Sequence, residues 1–211
     1  MTLTAAPRPA PDRPYWEIHE GTGPYLLLMH GFLSSRGQWR PNLAGLQTFC
    51  RPVVVELLGH GRSPAPADAD AYTLDRYIAA FEDIRRELGT ERWFVCGQSF
   101  GAGLIIHYVL RKPEHVNGLI FTNSLSAMSP PDDADRKAQL EQRIAAIRAN
   151  GRAGLESIRI HPRHAKRLPP DAKAELVEDA AGISLEGVVH SWRVTSPSLS
   201  VTRFLSDVKV P

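Results

Sequence analysis

The sequence predicts an α/β fold: a mostly parallel sheet with crossover helices, followed by a helical cap. Three observations carry this. Apolar runs of strand length with no polar face recur up to Thr122, amphipathic helical stretches lie between them, and after about Ser129 the strand signals stop while helical ones continue. Unbroken apolar runs suit strands covered on both faces, as in parallel sheets. Alternation of strand and helix gives the crossover connections that such sheets need.

The elements follow in order. Residues 1–14 alternate proline with small and charged residues, which disfavours helix and ladder alike, and predict a flexible arm. Trp16 and Ile18 alternate with polar neighbours as on an edge strand, and Gly21-Thr22-Gly23 turns the chain into the apolar run Tyr25-Leu26-Leu27-Leu28-Met29. Further strands are expected over residues 52–57, 93–96 and 119–122. Leu74, Tyr77, Ile78, Phe81, Ile84 and Leu88 share one helical face, with Thr73 placed to cap it, Asp75 in its first turn and Gly89 at its end. A second helix follows Ser99, with Leu104, Ile105, Tyr108 and Val109 on its apolar side and Pro113 beyond it. In the cap, helices are expected over residues 133–150, 155–160, 170–181 and 185–194. Pro169-Pro170, Gly151 and Gly182 mark their limits, and Leu140, Ile144 and Ile147 form a stripe. The domain division is an arm at 1–14, a core at 15–129 and a cap at 130–206.

Composition narrows the function classes. A chain of 211 residues suffices for one core, and 25 basic against 23 acidic side chains leave a net charge of +2. That balance argues against nucleic acid or a membrane surface as the partner and leaves a small-molecule substrate. Cys50 and Cys96 form no CxxC pair, and His161 with His164 has i, i+3 spacing but no third ligand nearby, so no metal is expected. Gly97, Gly101 and Gly103 do not read G-x-G-x-x-G, so no dinucleotide cofactor is expected either. No leader or membrane-length apolar window is present, which predicts a cytoplasmic protein. The oligomeric state is left open.

The chemistry centres on Gly97-Gln98-Ser99-Phe100-Gly101. A serine hydroxyl is a weak nucleophile that needs a base and donors for the developing oxyanion. Here a strand leads in and an apolar helix leads out, the setting of a G-x-S-x-G nucleophile elbow. Gly97 and Gly101 let strand and helix pass closely. Ser99 at a helix N-terminus has free amides beside it, so the Phe100 N–H is one oxyanion donor. The second is the Phe32 N–H, in the loop after the strand at Tyr25, where Gly31 permits close approach. Trp39, Phe32 and Phe100 are candidate walls of an apolar acyl pocket.

HGFLSSRGQW, ELLGHGRS, GQSFGAG and PEHVNGLIFTNS resemble consecutive blocks of the α/β-hydrolase superfamily over residues 15–129. The resemblance implies a helical lid over the pocket in the place of residues 130–206. It also implies that the Gly59-His60-Gly61 loop shapes the site without entering the chemistry. Aspartate-nucleophile branches such as epoxide hydrolases and haloalkane dehalogenases differ at Ser99. Serine branches include esterases, lipases, carbon–carbon hydrolases, some acyltransferases and cofactor-free haloperoxidases. The implied activity is hydrolysis of a small ester or related acyl bond through an acyl-enzyme.

The superfamily's triad places an acid and then a histidine after the serine. His107 lies eight residues along the helix from Ser99, about 12 Å at the helical rise, too far to act as base. His115 precedes a strand, at the wrong end of the sheet. His161, His164 and His190 fall in charged stretches of the cap and are read as structural. Asn123-Ser124 occupies one place where relatives carry the acid, and Asp207 precedes its strand rather than following it. Residues 207–211 resemble the lead-in to a further core strand. Three readings stay open, a fragment, a protein completed by another chain and a derived form without triad chemistry; the simplest is a serine hydrolase with acid and base beyond Pro211, weak or inactive as the chain stands. The alternative is a non-catalytic binding protein of the same fold.

Overall fold

The computed structural model describes residues 11–131 and 133–211. Five strands form one sheet: β1 (Trp16–Ile18), β2 (Tyr25–Met29), β3 (Arg51–Val55), β4 (Trp93–Gln98) and β5 (Val116–Thr122). Their order is β1-β3-β2-β4-β5, antiparallel between β1 and β3 and parallel elsewhere, as the apolar runs predict. Leu27 lies opposite Val53 and Val95, so one face carries Leu27, Met29, Val53, Val55 and Val95 into the main core. The other face carries Leu26, Leu28 and Val54.

Three helices follow the first strands: α1 (Arg40–Leu46), α2 (Leu74–Glu87) and α3 (Phe100–Arg111). The stripe of α2 buries Leu74, Tyr77, Ile78, Phe81 and Ile84, and α3 buries Leu104, Ile105 and Tyr108 in the same core. On the opposite face Trp39, Leu43 and Leu46 cover Leu26, Leu28 and Cys50. The sheet is thus sandwiched, which satisfies the burial that its all-apolar strands demand.

Several boundaries differ from expectation. Helix α1 was not anticipated, because Leu43 and Leu46 are too sparse a stripe and neither is fully buried. β3 ends at Val55 rather than at residue 57. Glu56 leaves the ladder to accept the backbone N–H groups of Arg36 at 3.0 Å and Arg62 at 2.8 Å. β5 begins at Val116, three residues early, and the Leu119 N–H donates to the Pro211 carbonyl at 2.8 Å on its outer edge. The arm expectation falls mostly on residues 1–10, outside the described residues. Beyond them Arg13 pairs with Glu87 and Pro14 is buried.

After the short helix α4 (Leu125–Met128) the chain is helical: α5 (Ala134–Glu156), α6 (Pro170–Ala181) and α7 (Leu185–His190). The first expected cap helix runs on as α5 to Glu156, broken at Gly151, whose φ of 54° and ψ of −129° are non-helical, while residues 157–160, expected to be helical, form turns. Helix α7 runs on into a π turn at Ser191–Thr195. Ile144, Ile147, Leu155, Val188 and Trp192 join the main core. The Ser184 N–H donates to the Gly59 carbonyl at 2.8 Å, and the Thr195 hydroxyl donates to the Tyr72 carbonyl, so these helices are bonded to the sheet's loops. No helix among the described residues is long and apolar enough to cross a membrane.

Candidate active site

Ser99 stands between β4 and α3 with φ 54° and ψ −114°, a left-handed backbone that a non-glycine residue rarely adopts. Its N–H donates to the Thr122 carbonyl of β5 at 2.9 Å, and its carbonyl accepts from the Ala102 N–H at 3.1 Å. The Ser126 hydroxyl reaches the same carbonyl at 3.3 Å. The turn is therefore pinned on both sides, which holds the strained residue in place.

The neighbouring glycines are required by space. A Cβ on Gly97 would lie 2.7 Å from the Gly101 carbonyl oxygen, and one on Gly101 would lie 2.5 Å from the carbonyl oxygens of both Met29 and His30. Helix α3 thus passes almost against the end of β2. A Cβ on Gly31 would meet Gln98 Oε1 at 1.9 Å and come 3.3 Å from the Ser99 Cβ, so the loop after β2 lies directly beside the serine. That loop carries Phe32, whose ring packs 4.9 Å from that of Phe100 and 5.2 Å from that of Trp192. Phe100, as the first residue of α3, has an N–H with no acceptor inside the helix.

Two buried histidines hold this loop. His30 Nε2 accepts the Leu57 N–H at 3.0 Å, and its Nδ1 bonds the Gly31 carbonyl at 2.8 Å. His60 Nε2 accepts the Leu33 N–H at 3.3 Å, and its Nδ1 bonds the Leu58 carbonyl at 3.0 Å. Each ring must be neutral, with its proton on Nδ1, to make both bonds. Burial, with the His60 ring nearby, pushes His30 down to about 3, and burial lowers His60 to about 4. Sequence reasoning looked for a base only after Ser99 and missed His30 as a clip between loops.

The remaining histidines divide. His107 is buried on α3 with Nε2 unpartnered, and His115 bonds Glu82 at 2.9 Å at the start of β5. His190 stacks 5.2 Å from Tyr72. His161 and His164 line the same cleft as Ser99. This cleft, about 470 Å³, is walled on the sheet side by Phe32, Leu33, Ser34, Gln38 and Gln98, and on the cap side by residues between Arg159 and Leu176. Nothing in the stretch HPRHAKR marks a cleft wall, since its placement depends on how the cap helices fold back. Trp39 and Phe100 are absent from this wall: Phe100 is buried behind Phe32, and Trp39 packs against the opposite face of the sheet with Leu28 and Cys50. Cys96 on β4 is half-buried, and burial raises its thiol to about 11, which keeps it protonated and a poor nucleophile.

The site is thus a strained serine at a strand-to-helix turn of a mostly parallel sheet, opposite a glycine loop and under helices. Residues 24–145 match the family model described as the alpha/beta hydrolase fold, and the chain belongs to that family. It is 35% identical over 189 residues to the 1-acylglycerol-3-phosphate O-acyltransferase ABHD5 of Homo sapiens, covering 82% of this chain and 52% of that protein. The chain thus spans about half the length of this curated relative. Among solved structures, a hydrolase from Pseudomonas aeruginosa superposes with a TM-score of 0.74 at 20% identity, covering 100% of this chain and 77% of the other. An esterase from Exiguobacterium antarcticum superposes with a TM-score of 0.76 at 18% identity, covering 94% and 75%. At such identity these two likenesses speak for the fold.

Proposed function

We propose that the protein is a serine hydrolase acting on a small ester or related acyl bond, a carbon–carbon bond included, through an acyl-enzyme on Ser99. In this reading residues 15–129 form the catalytic core and residues 130–206 the cap over the pocket. The observation that carries it is the backbone of Ser99, whose φ of 54° sits at the β4–α3 turn between Gly97 and Gly101, neither of which has room for a Cβ. Strain of this kind persists where function repays it. A base not found among the described residues would take the Ser99 hydroxyl proton as the oxygen attacks the acyl carbon, the oxyanion settles between the Phe32 and Phe100 amides, the proton passes to the departing group, and water activated by the same base cleaves the acyl-enzyme.

Among the described residues no carboxylate or imidazole bonds the Ser99 hydroxyl, so the 211-residue chain is expected to turn over p-nitrophenyl esters slowly. A fluorophosphonate probe reads the nucleophile directly. Mass spectrometry is expected to find the adduct on Ser99 and none on the Ser99→Ala variant. A folded, full-length chain that takes no adduct while binding acyl ligands would instead be a non-catalytic binding protein.

A further inference from the structure

The cap side of the Ser99 cleft combines charge and apolar surface in an unusual way. Ile160 and Leu168 line it while remaining 47% and 40% exposed, and Leu176 adds a buried apolar floor. Arg159 stands beside them, exposed, and no acidic side chain among the described residues pairs with it. Its neighbours differ: Arg163 pairs with Glu156 at 2.6 Å, and Arg152 donates to the Ile183 carbonyl at 2.7 Å. Among the described residues no Asp or Glu lines the cleft.

Of the two cleft histidines, only His161 keeps a ring N–H that is not already given to the backbone. His161 Nδ1 accepts the Arg163 N–H at 3.2 Å, which leaves the ring proton of the neutral form on Nε2. His164 is tied through Nε2 to the Glu156 carbonyl at 2.8 Å. A guanidinium next to exposed aliphatic side chains, with no carboxylate among the described residues of the wall, complements a ligand that is apolar along its length and anionic at one end.

We infer that the Ser99 cleft takes an amphiphilic acyl compound carrying a carboxylate or phosphate, with Arg159 as the group that pairs with the anion and Ile160 and Leu168 along the chain. The inference rests on the proposed hydrolase reading for the acyl bond, but the recognition of the anion does not need the nucleophile. Apolar surface alone is indifferent to the headgroup; Arg159 supplies the discrimination.

The test is therefore a binding experiment on the Ser99→Ala chain, with 1-octanol, octanoate and octyl phosphate as probes of equal chain length, followed by the fluorescence of Trp192. Octyl phosphate, octanoate or both are expected to bind about tenfold more tightly than octanol, the scale of one charge-assisted hydrogen-bonded pair. In Arg159→Gln the ratio is expected to approach one while octanol binding stays as it was. Preference for octyl phosphate alone assigns a phosphate headgroup, and preference for octanoate alone a carboxylate. Equal binding of all three by the Ser99→Ala chain, or a preference that survives Arg159→Gln, overturns the inference. Because the nucleophile is already removed, failure here leaves the fluorophosphonate result on Ser99 untouched, and absence of that adduct leaves this result standing.

Discussion

His30 Nε2 accepts the Leu57 backbone N–H at 3.0 Å, which fastens the loop carrying Phe32 to the loop that follows β3. His60 makes the second fastening through Leu33. Both acceptors are lost if the rings protonate. Folded, these groups titrate at about 3 and about 4, against an ordinary 6.5. The unfolded chain therefore binds protons first as pH falls, and stability declines from about pH 6.5 toward pH 4. The slope is up to about 1.4 kcal/mol per pH unit for each ring. Urea midpoints at pH 7, 6 and 5 are expected to fall, and more shallowly in His60→Gln, whose ring no longer titrates. Parallel slopes for the two proteins would exclude His60 as a source of the effect.

Glu82 lies on α2, away from the cleft, and collects Arg85 at 3.0 Å, the Tyr108 hydroxyl at 2.6 Å and His115 at 2.9 Å. Burial alone raises its carboxyl, but bonds from Arg85, Tyr108 and His115 outweigh that and pull it down to about 2. A depressed carboxyl stabilises above the unfolded value near 4.5 and loses that contribution as pH falls toward 2. Glu82→Gln is expected to cost about 2–3 kcal/mol at pH 7, with the gap in melting temperature narrowing at pH 3. A gap independent of pH would mean that packing, not charge, holds the cluster together.

Much of this was readable in the chain because the signals are local. Tyr25-Leu26-Leu27-Leu28-Met29 has no polar face, so only a doubly covered strand fits it. Gly97, Gly101 and Gly31 stand where a strand, a helix and a loop must approach closely, and the added-Cβ distances show why. Helix α1 escaped because two half-buried leucines behind Pro41 make too weak a stripe. The cap wall escaped for a different reason: His161 and Arg159 reach the cleft only through the fold-back after α5, which no local pattern encodes. Trp39 was misplaced because the turn before α1 decides which face of the sheet it covers.

Space separates two further glycines cleanly. Gly101→Ala puts its methyl 2.5 Å from two backbone carbonyl oxygens, atoms that cannot swing aside. The expected cost is about 3 kcal/mol. Gly45 in α1 is exposed, and an added Cβ meets nothing within 4 Å. Gly45→Ala is expected to gain about 0.5–1 kcal/mol from the lower entropy of the unfolded chain and better helix propensity. Urea unfolding of the two variants checks the opposite signs.

Gly31 is the glycine whose replacement touches the site more than the fold. Its backbone needs no left-handed angle, since it is not among the positive-φ glycines, so alanine is conformationally acceptable there. The new methyl would meet Gln98 Oε1 at 1.9 Å and the Ser99 Cβ at 3.3 Å. The first is the far end of a half-buried side chain that can rotate into the cleft; the second belongs to the residue held by the elbow. Relief therefore comes from moving Gln98 and shifting the Phe32 loop away from Ser99, and little of it from the core. A displacement on the order of 1 Å at an oxyanion site costs up to about a hundredfold in rate. Gly31→Ala is thus expected to slow fluorophosphonate labelling of Ser99 by about tenfold or more while shifting the urea midpoint little. Labelling at the parent rate would remove the loop after β2 from the oxyanion hole.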